Sequence, residues 1–235
     1  MDKIVELHCL KHKYPDKTEI SICGLDFIVN QGERIALIGP NGVGKTTLLL
    51  HLLGLLQPTE GLVKVFGVNP SKELSKIGQK IGVVVQNAEE QLMGPTVYDD
   101  IMFSLVNYGI SDREARNRAD KIIKELKIEY LKEKIVHYLS GGEKRKVALA
   151  GALVLEPELL ILDEALAELD PEGIDIALKK ILELNEKNKT AVILATNDTS
   201  LIQRFAEIVY VLEKGKIVFK GSFKELLDFK GRIKN

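Results

Sequence analysis

The run Gly39-Pro40-Asn41-Gly42-Val43-Gly44-Lys45-Thr46 constrains this chain more than any other. It follows a short apolar stretch, Arg34 to Ile38, and precedes a leucine-rich stretch from Lys45 to Leu55. A glycine-rich loop between a strand and a helix lets backbone N–H groups wrap phosphate oxygens where the helix dipole also favours anions. The pattern is that of a P-loop. It predicts that Lys45 reaches the β- and γ-phosphates of a nucleotide, that the Thr46 hydroxyl binds Mg²⁺, and that Thr47 touches the α-phosphate.

Around this loop, strands alternate with helices, which implies a parallel sheet. The stretch from Lys3 to Val29 alternates apolar and polar residues about a turn at Tyr14-Pro15-Asp16 and reads as antiparallel strands. From Asn87 to about Leu155 the texture is helical, with Ser111 and Glu114 placed as a capping box. Buried strands are expected at Leu62–Phe66, Ile81–Val85, Leu159–Leu162 and Ala191–Ala195. Near the end, a hairpin turns at Lys214-Gly215 and a last helix is capped at Ser222. The expected fold is α/β: a P-loop NTPase core with a RecA-like parallel sheet, an N-terminal antiparallel β layer and an inserted α-helical lobe. Residues 1–86 and 156–235 form the core and 87–155 the lobe of one domain.

Composition excludes some roles. With 33 Lys+Arg against 34 Asp+Glu there is no basic footprint for nucleic acid. The longest apolar runs, Leu48–Leu56 and Val147–Leu155, fall short of the ~20 residues needed to span a bilayer, and no signal-peptide stretch is expected at the start. A membrane role therefore comes through a partner. Cys9 and Cys23 are too few for a disulfide framework and are expected as buried free thiols in a reducing compartment. The four histidines show no zinc-ligand spacing.

Two further segments carry chemistry. Leu159-Leu160-Ile161-Leu162-Asp163-Glu164 is an apolar strand ending in two carboxylates. Such a strand places Asp163 beside Mg²⁺ at the carboxyl edge of the sheet, and Glu164 to orient or deprotonate an attacking water. Leu139-Ser140-Gly141-Gly142-Glu143 opens an apolar helix as a capping box. Paired glycines in a first turn cost helix propensity, and Lys144, Arg145 and Lys146 crowd the positive end of the dipole. A bare helix N-terminus ringed with positive charge suits a phosphate better than it suits stability.

Together these motifs resemble those of the ABC-family ATPases over nearly the whole chain: Gly39–Thr46 matches Walker A, Leu139–Glu143 the signature (with Glu143 for glutamine) and Leu159–Asp163 Walker B. The resemblance implies ATP and Mg²⁺ as ligands and a second ATPase subunit, identical or homologous. In that family Ser140, Gly141, Gly142 and Glu143 of one subunit close on the ATP of the other. By position, Gln86 resembles the glutamine that binds Mg²⁺ or its water and senses the membrane partner. Tyr14 resembles the aromatic that stacks on adenine, and Asp170 the aspartate at the subunit interface.

The segments Gln86–Met93 and Pro95–Ile101 are similar to the energy-coupling-factor and cobalt/nickel importer ATPases, where they receive helices of the membrane component. That branch implies an ATPase on the cytoplasmic face of the cell membrane that drives import of a metal ion or a vitamin by ATP-dependent dimer closure. Longer members carry a further C-terminal segment that helps hold the dimer, so dimerisation here is expected to depend on ATP. The pattern breaks in two places. Asn197 stands where the family has a histidine, and Glu168 where it has glycine. Asparagine can donate a hydrogen bond to the γ-phosphate but cannot carry positive charge. The site is therefore expected either to hydrolyse ATP slowly or to be the weak one in a heterodimer. The rival readings are a soluble ABC protein doing assembly or repair work and a dimerisation module with negligible catalysis.

Overall fold

Alternation at the N-terminus yields strand β1 (Lys3–Lys13), paired antiparallel with β2 (Glu19–Gly24) and β3 (Phe27–Asn30). The structure is a computed structural model that describes residues 2–233, with side chains through Phe229. After β4 (Arg34–Ile38) come α1 (Lys45–Leu52), β5 (Glu60–Val65), α2 (Pro70–Ile77), β6 (Ile81–Val84), α3 (Val97–Asn107) and α4 (Asp112–Glu125). Then follow α5 (Gly141–Leu153), β7 (Leu159–Asp163), α6 (Pro171–Asn188), β8 (Ala191–Ala195), α7 (Thr199–Phe205), β9 (Ile208–Glu213), β10 (Lys216–Gly221) and α8 (Phe223–Ile233). The chain divides into two units, Met1–Gly78 with Ala191–Asn235, and Gln79–Thr190. Among the described residues no helix is long and apolar enough to cross a membrane.

In the first unit, β4 is buried and lies between β8 and β9, parallel to both. β10 turns back antiparallel to β9 and meets β2, while β1 also pairs with β5. The apolar residues of β4, β8 and β9 fill the core, as expected of strands covered on both faces. Tyr210 of β9 is fully buried, and its hydroxyl both donates to Ile28 O (2.9 Å) and accepts from Ile28 N (3.3 Å), which satisfies its polar end against β3. Helix α1 stops at Leu52, short of the predicted Leu55, with Leu53 as its C-cap.

The cysteines are not buried free thiols. Cys9 is exposed, Cys23 is half-buried, and the two form a disulfide across β1 and β2. The register pairs Leu10 with Ile22, so one step back Cys9 faces Cys23, with Cα atoms 4.0 Å apart. Sequence spacing alone cannot show that cross-strand opposition.

His51 of α1 is buried, with its Nδ1 2.7 Å from Thr47 O one turn back and its ring edge-on to His12 of β1 at 4.8 Å. Burial holds its pKa below the ordinary histidine value, helped by the facing His12 and opposed by the Thr47 carbonyl.

In the second unit, β6 and β7 run parallel from Ile81↔Leu159 to Val84↔Leu162, and β7 is buried throughout. Asp170 caps α6 through Gly173 N–H (2.7 Å), with Pro171 at the first helical position. Ser111 precedes α4 as expected but makes no side-chain cap, and Glu114 pairs with Arg118 (2.7 Å) one turn on.

Two expectations concern the first unit. Reducing the disulfide removes a cross-link between residues 14 apart in sequence, worth about 3 kcal/mol by loop-entropy reasoning. Urea unfolding with and without dithiothreitol should show that loss, and coincident midpoints despite two titratable thiols would contradict it. Because His51 binds its proton less readily folded than unfolded, stability should fall as pH drops through about 6.5, the ordinary histidine value. The fall between pH 7.5 and 5.5 should be shallower in His51→Asn, and equal slopes would exclude this origin.

Candidate functional site

The P-loop of the first unit is shaped by what presses on it. A Cβ at Gly39 would fall 2.2 Å from the Leu212 carbonyl oxygen of β9, so only glycine can leave β4 at that point. Gly44 has φ +109°, and a Cβ there would lie 3.1 Å from Ile20 of β2. Glycine supplies that conformation at no steric cost.

Gly44 is the N-cap of α1, with no side-chain cap and no acidic residue in the first turn. With no acid in its own first turn, the positive end of the α1 dipole fits an anion. Lys45 is buried, and its ammonium donates to Gly39 O (2.7 Å) and Pro40 O (3.4 Å), folded over the loop that would hold phosphates. Asn41 and Gly42 are exposed, Val43 is half-buried, and Thr46 is exposed beside the buried Thr47.

Thr47 is engaged by a side chain of the same unit. Its Oγ1 lies 2.9 Å from the Tyr14 hydroxyl, which ties α1 to the turn after β1. The Tyr14 ring is edge-on to His12 at 4.5 Å. His12 and His51, which no motif marked, therefore line up with the residue expected to stack on adenine.

Asn197 follows β8 and accepts the Gly39 N–H through Oδ1 (3.2 Å). Register explains this bond. Leu37 faces Ala195, so two residues further on Gly39 faces Asn197. With its carbonyl on the P-loop backbone, the side chain has only its NH₂ group left to donate.

In the second unit, Ser140 caps α5 with a complete capping box: Glu143 N–H donates to Ser140 Oγ (3.3 Å), and Ser140 N–H to Glu143 Oε2 (2.8 Å). The Ser140 N–H and then Lys134 hold the Glu143 carboxyl below the usual carboxylate range. The expected ring of open cations is not met. Lys144 pairs with Glu89 (2.8 Å), Arg145 with Glu168 (3.0 Å), and Lys146 lies 3.6 Å from Asp170. Each positive charge has an acidic neighbour in the same unit.

Asp163 ends β7 and is buried, while Glu164 follows with φ +50°. A non-glycine residue there costs about 1–3 kcal/mol and clusters at functional sites. Gln86 lies beyond β6, exposed. The loop after it is braced. Gln91 donates to Val83 O (2.7 Å) and accepts from Val85 N–H (3.2 Å), and Asp100 accepts from Met93 and Gly94 N–H (2.7 and 2.8 Å). Burial pushes the Asp100 carboxyl up, against those two bonds. Bracing leaves apolar side chains outside: Met93 is 70 % exposed, Phe103 47 % and Val106 54 %.

Comparison with known proteins agrees with these features. Residues 22–167 match the ABC transporter domain. The energy-coupling factor transporter ATP-binding protein EcfA of Methanothermobacter thermautotrophicus is 41% identical over 95% of this chain and 72% of its own length. The EcfA of Methanocaldococcus jannaschii is 40% identical over 95% and 80%. Among solved structures, cbiO1 from Clostridium perfringens, part of the ABC transporter complex cbiONQ, superposes with a TM-score of 0.82 at 35% identity, covering 100% of this chain and 94% of that one. A dimeric ATP-binding cassette in a post-hydrolysis state with ADP and Pi gives 0.84 at 27% identity, over 93% and 98%. With the P-loop, the signature helix and the acidic strand end all in place along its length, the chain belongs to the ABC transporter family.

Proposed function

We propose that this chain is the ATP-hydrolysing subunit of an energy-coupling-factor-type importer for a metal ion, such as cobalt or nickel, or a vitamin. The observation that carries the catalytic half is the glycine-opened N-terminus of α1, uncapped and free of acid in its first turn, with Lys45 folded over it. The likeness to two EcfA proteins and to cbiO1 supports the transport half.

On this reading the backbone of Gly39, Pro40, Asn41, Gly42, Val43 and Gly44 wraps the phosphates, with Thr46 and Thr47 at the start of the helix. Lys45 leaves the Gly39 and Pro40 carbonyls to neutralise the β- and γ-phosphates. Tyr14 supplies the face for adenine. Thr46, Asp163 and Gln86 are hard oxygen donors of the kind Mg²⁺ takes. They would hold the ion, which when bound would offset the charge on the transferred group.

Glu164 accepts the proton of the attacking water as its oxygen bonds to γ-phosphorus and the bond to the β-phosphate oxygen breaks. Ser140, Gly141, Gly142 and Glu143 meet the nucleotide of a second ATPase subunit, and Asp170 lies at that junction. Because the second contact exists only in the closed pair, binding favours closure and cleavage releases it. The exposed Met93, Phe103 and Val106 receive helices of a membrane component, which sets the chain at the cytoplasmic face of the membrane.

Lys45→Ala is expected to weaken ATP binding on the order of tenfold or more. Glu164→Gln should cut turnover on the order of 10²-fold while allowing an ATP-dependent dimer visible by light scattering. A Glu164→Gln protein that hydrolyses ATP at the parent rate would sink the assignment.

Asn197 favours slow turnover at this P-loop, since its carbonyl is engaged by Gly39 and its amide cannot be charged. Steady-state ATPase should rise several-fold, by roughly 1 kcal/mol of barrier, in Asn197→His. A variant no faster than the parent counts against that view.

A further inference from the structure

The β6–β7 ladder runs as far as Val84↔Leu162. Continued by two residues, the same register sets Gln86 opposite Glu164, beyond the carboxyl ends of both strands. Arg145, on α5, bridges the two at this point. Its Nη1 donates to Glu164 O (2.7 Å) and its Nη2 to Gln86 O (3.0 Å). Nη2 also lies 3.0 Å from Glu168 Oε1.

The Arg145 side chain is 6% exposed and that of Glu168 59%. Two carbonyl oxygens solvate a guanidinium but do not neutralise it, so a cation this buried calls for an anion. Glu168 is that anion. It also lies against the signature: its Oε2 is 3.2 Å from where a Cβ of Gly141 would be, and its carbonyl oxygen 3.1 Å from that of Gly142.

The geometry points to Arg145 as a positioning residue for hydrolysis, with Glu168 as its counter-charge: its planar fork fixes the carbonyls of Gln86 and Glu164 together and so sets the backbone from which the Glu164 carboxylate is aimed. Glu164 has φ +50°, a conformation that a lysine-type side chain would not hold as well, since a fork spans two acceptors in fixed geometry and a single ammonium does not. The inference rests on the reading of Glu164 as the residue that activates water. It also gives a reason for a glutamate at position 168.

Three full-length variants test it: Arg145→Lys, which keeps the charge and loses the fork; the double variant Arg145→Gln with Glu168→Gln, which loses the clamp and strands no charge; and Glu164→Gln. Turnover per nucleotide-binding site, the affinity for a fluorescent ATP analogue and the melting temperature are measured for each. Arg145→Lys and the double variant should lose at least tenfold in kcat, with KM for ATP and analogue affinity within twofold of the parent. Loss of activity in proportion to loss of binding or folded protein would make Arg145 a structural staple and overturn the inference. So would turnover within twofold of the parent in both variants while Glu164→Gln is inactive. A parent that does not hydrolyse ATP, or an unimpaired Glu164→Gln, would overturn the underlying reading instead.

Discussion

The contact between the Gly39 Cα and the Leu212 carbonyl governs the nucleotide end of the first unit. At 2.2 Å from a notional Cβ, it admits glycine alone. It draws the end of β4 against β9, so the loop must turn at once. Ile20 and Ile22 of β2 press on Gly44 from the other direction. The loop is thus confined by backbone and apolar contacts as well as by the hydrogen bonds of Gly39 and Pro40. With no acidic residue in its first turn, the start of α1 is electrostatically suited to an anion.

The β4–β8 and β6–β7 ladders end in the same way. Where β4 and β8 part, the Asn197 amide meets the Gly39 N–H; where β6 and β7 part, the Arg145 guanidinium joins the carbonyls of Gln86 and Glu164. Main-chain pairing cannot continue past residues that must turn toward a ligand, and buried backbone groups left unmade there would each cost about 1–3 kcal/mol. Side chains take over the pairing. Each is matched in polarity to what it meets, an acceptor for an N–H and a cation for two carbonyls.

Several features were legible in the sequence because they are local. Gly39–Thr46, the capping box Ser140/Glu143 and the apolar run Leu159–Leu162 depend on spacing within a few residues, and spacing is what a sequence displays. What was illegible depends on register or on distant partners. The Cys9–Cys23 bond needs β1 and β2 aligned at Leu10↔Ile22, which hydropathy alternation cannot specify. Ser111 with Glu114 has the same spacing as Ser140 with Glu143, yet Arg118 claims the first glutamate whereas the second completes its box and pairs with Lys134. Arg145 read as one of three cations at a helix start, and its part in holding two strand ends appears only when Gln86 and Glu164 are placed side by side.

The neutralised start of α5 bears on how a phosphate could be met there. Had Lys144, Arg145 and Lys146 been open, their charge would attract anions over about a Debye length, roughly 8 Å at physiological salt. With Glu89, Glu168 and Asp170 beside them, that field is largely cancelled. What remains at Gly141 and Gly142 is the positive end of the helix dipole, which acts only within the first turn. Such an end discriminates sharply by distance, indifferent to an anion a few ångströms away and favourable to one in contact. On the proposed reading that is the property a closing clamp needs, because an attraction already felt in the open state would contribute nothing to the difference between open and closed.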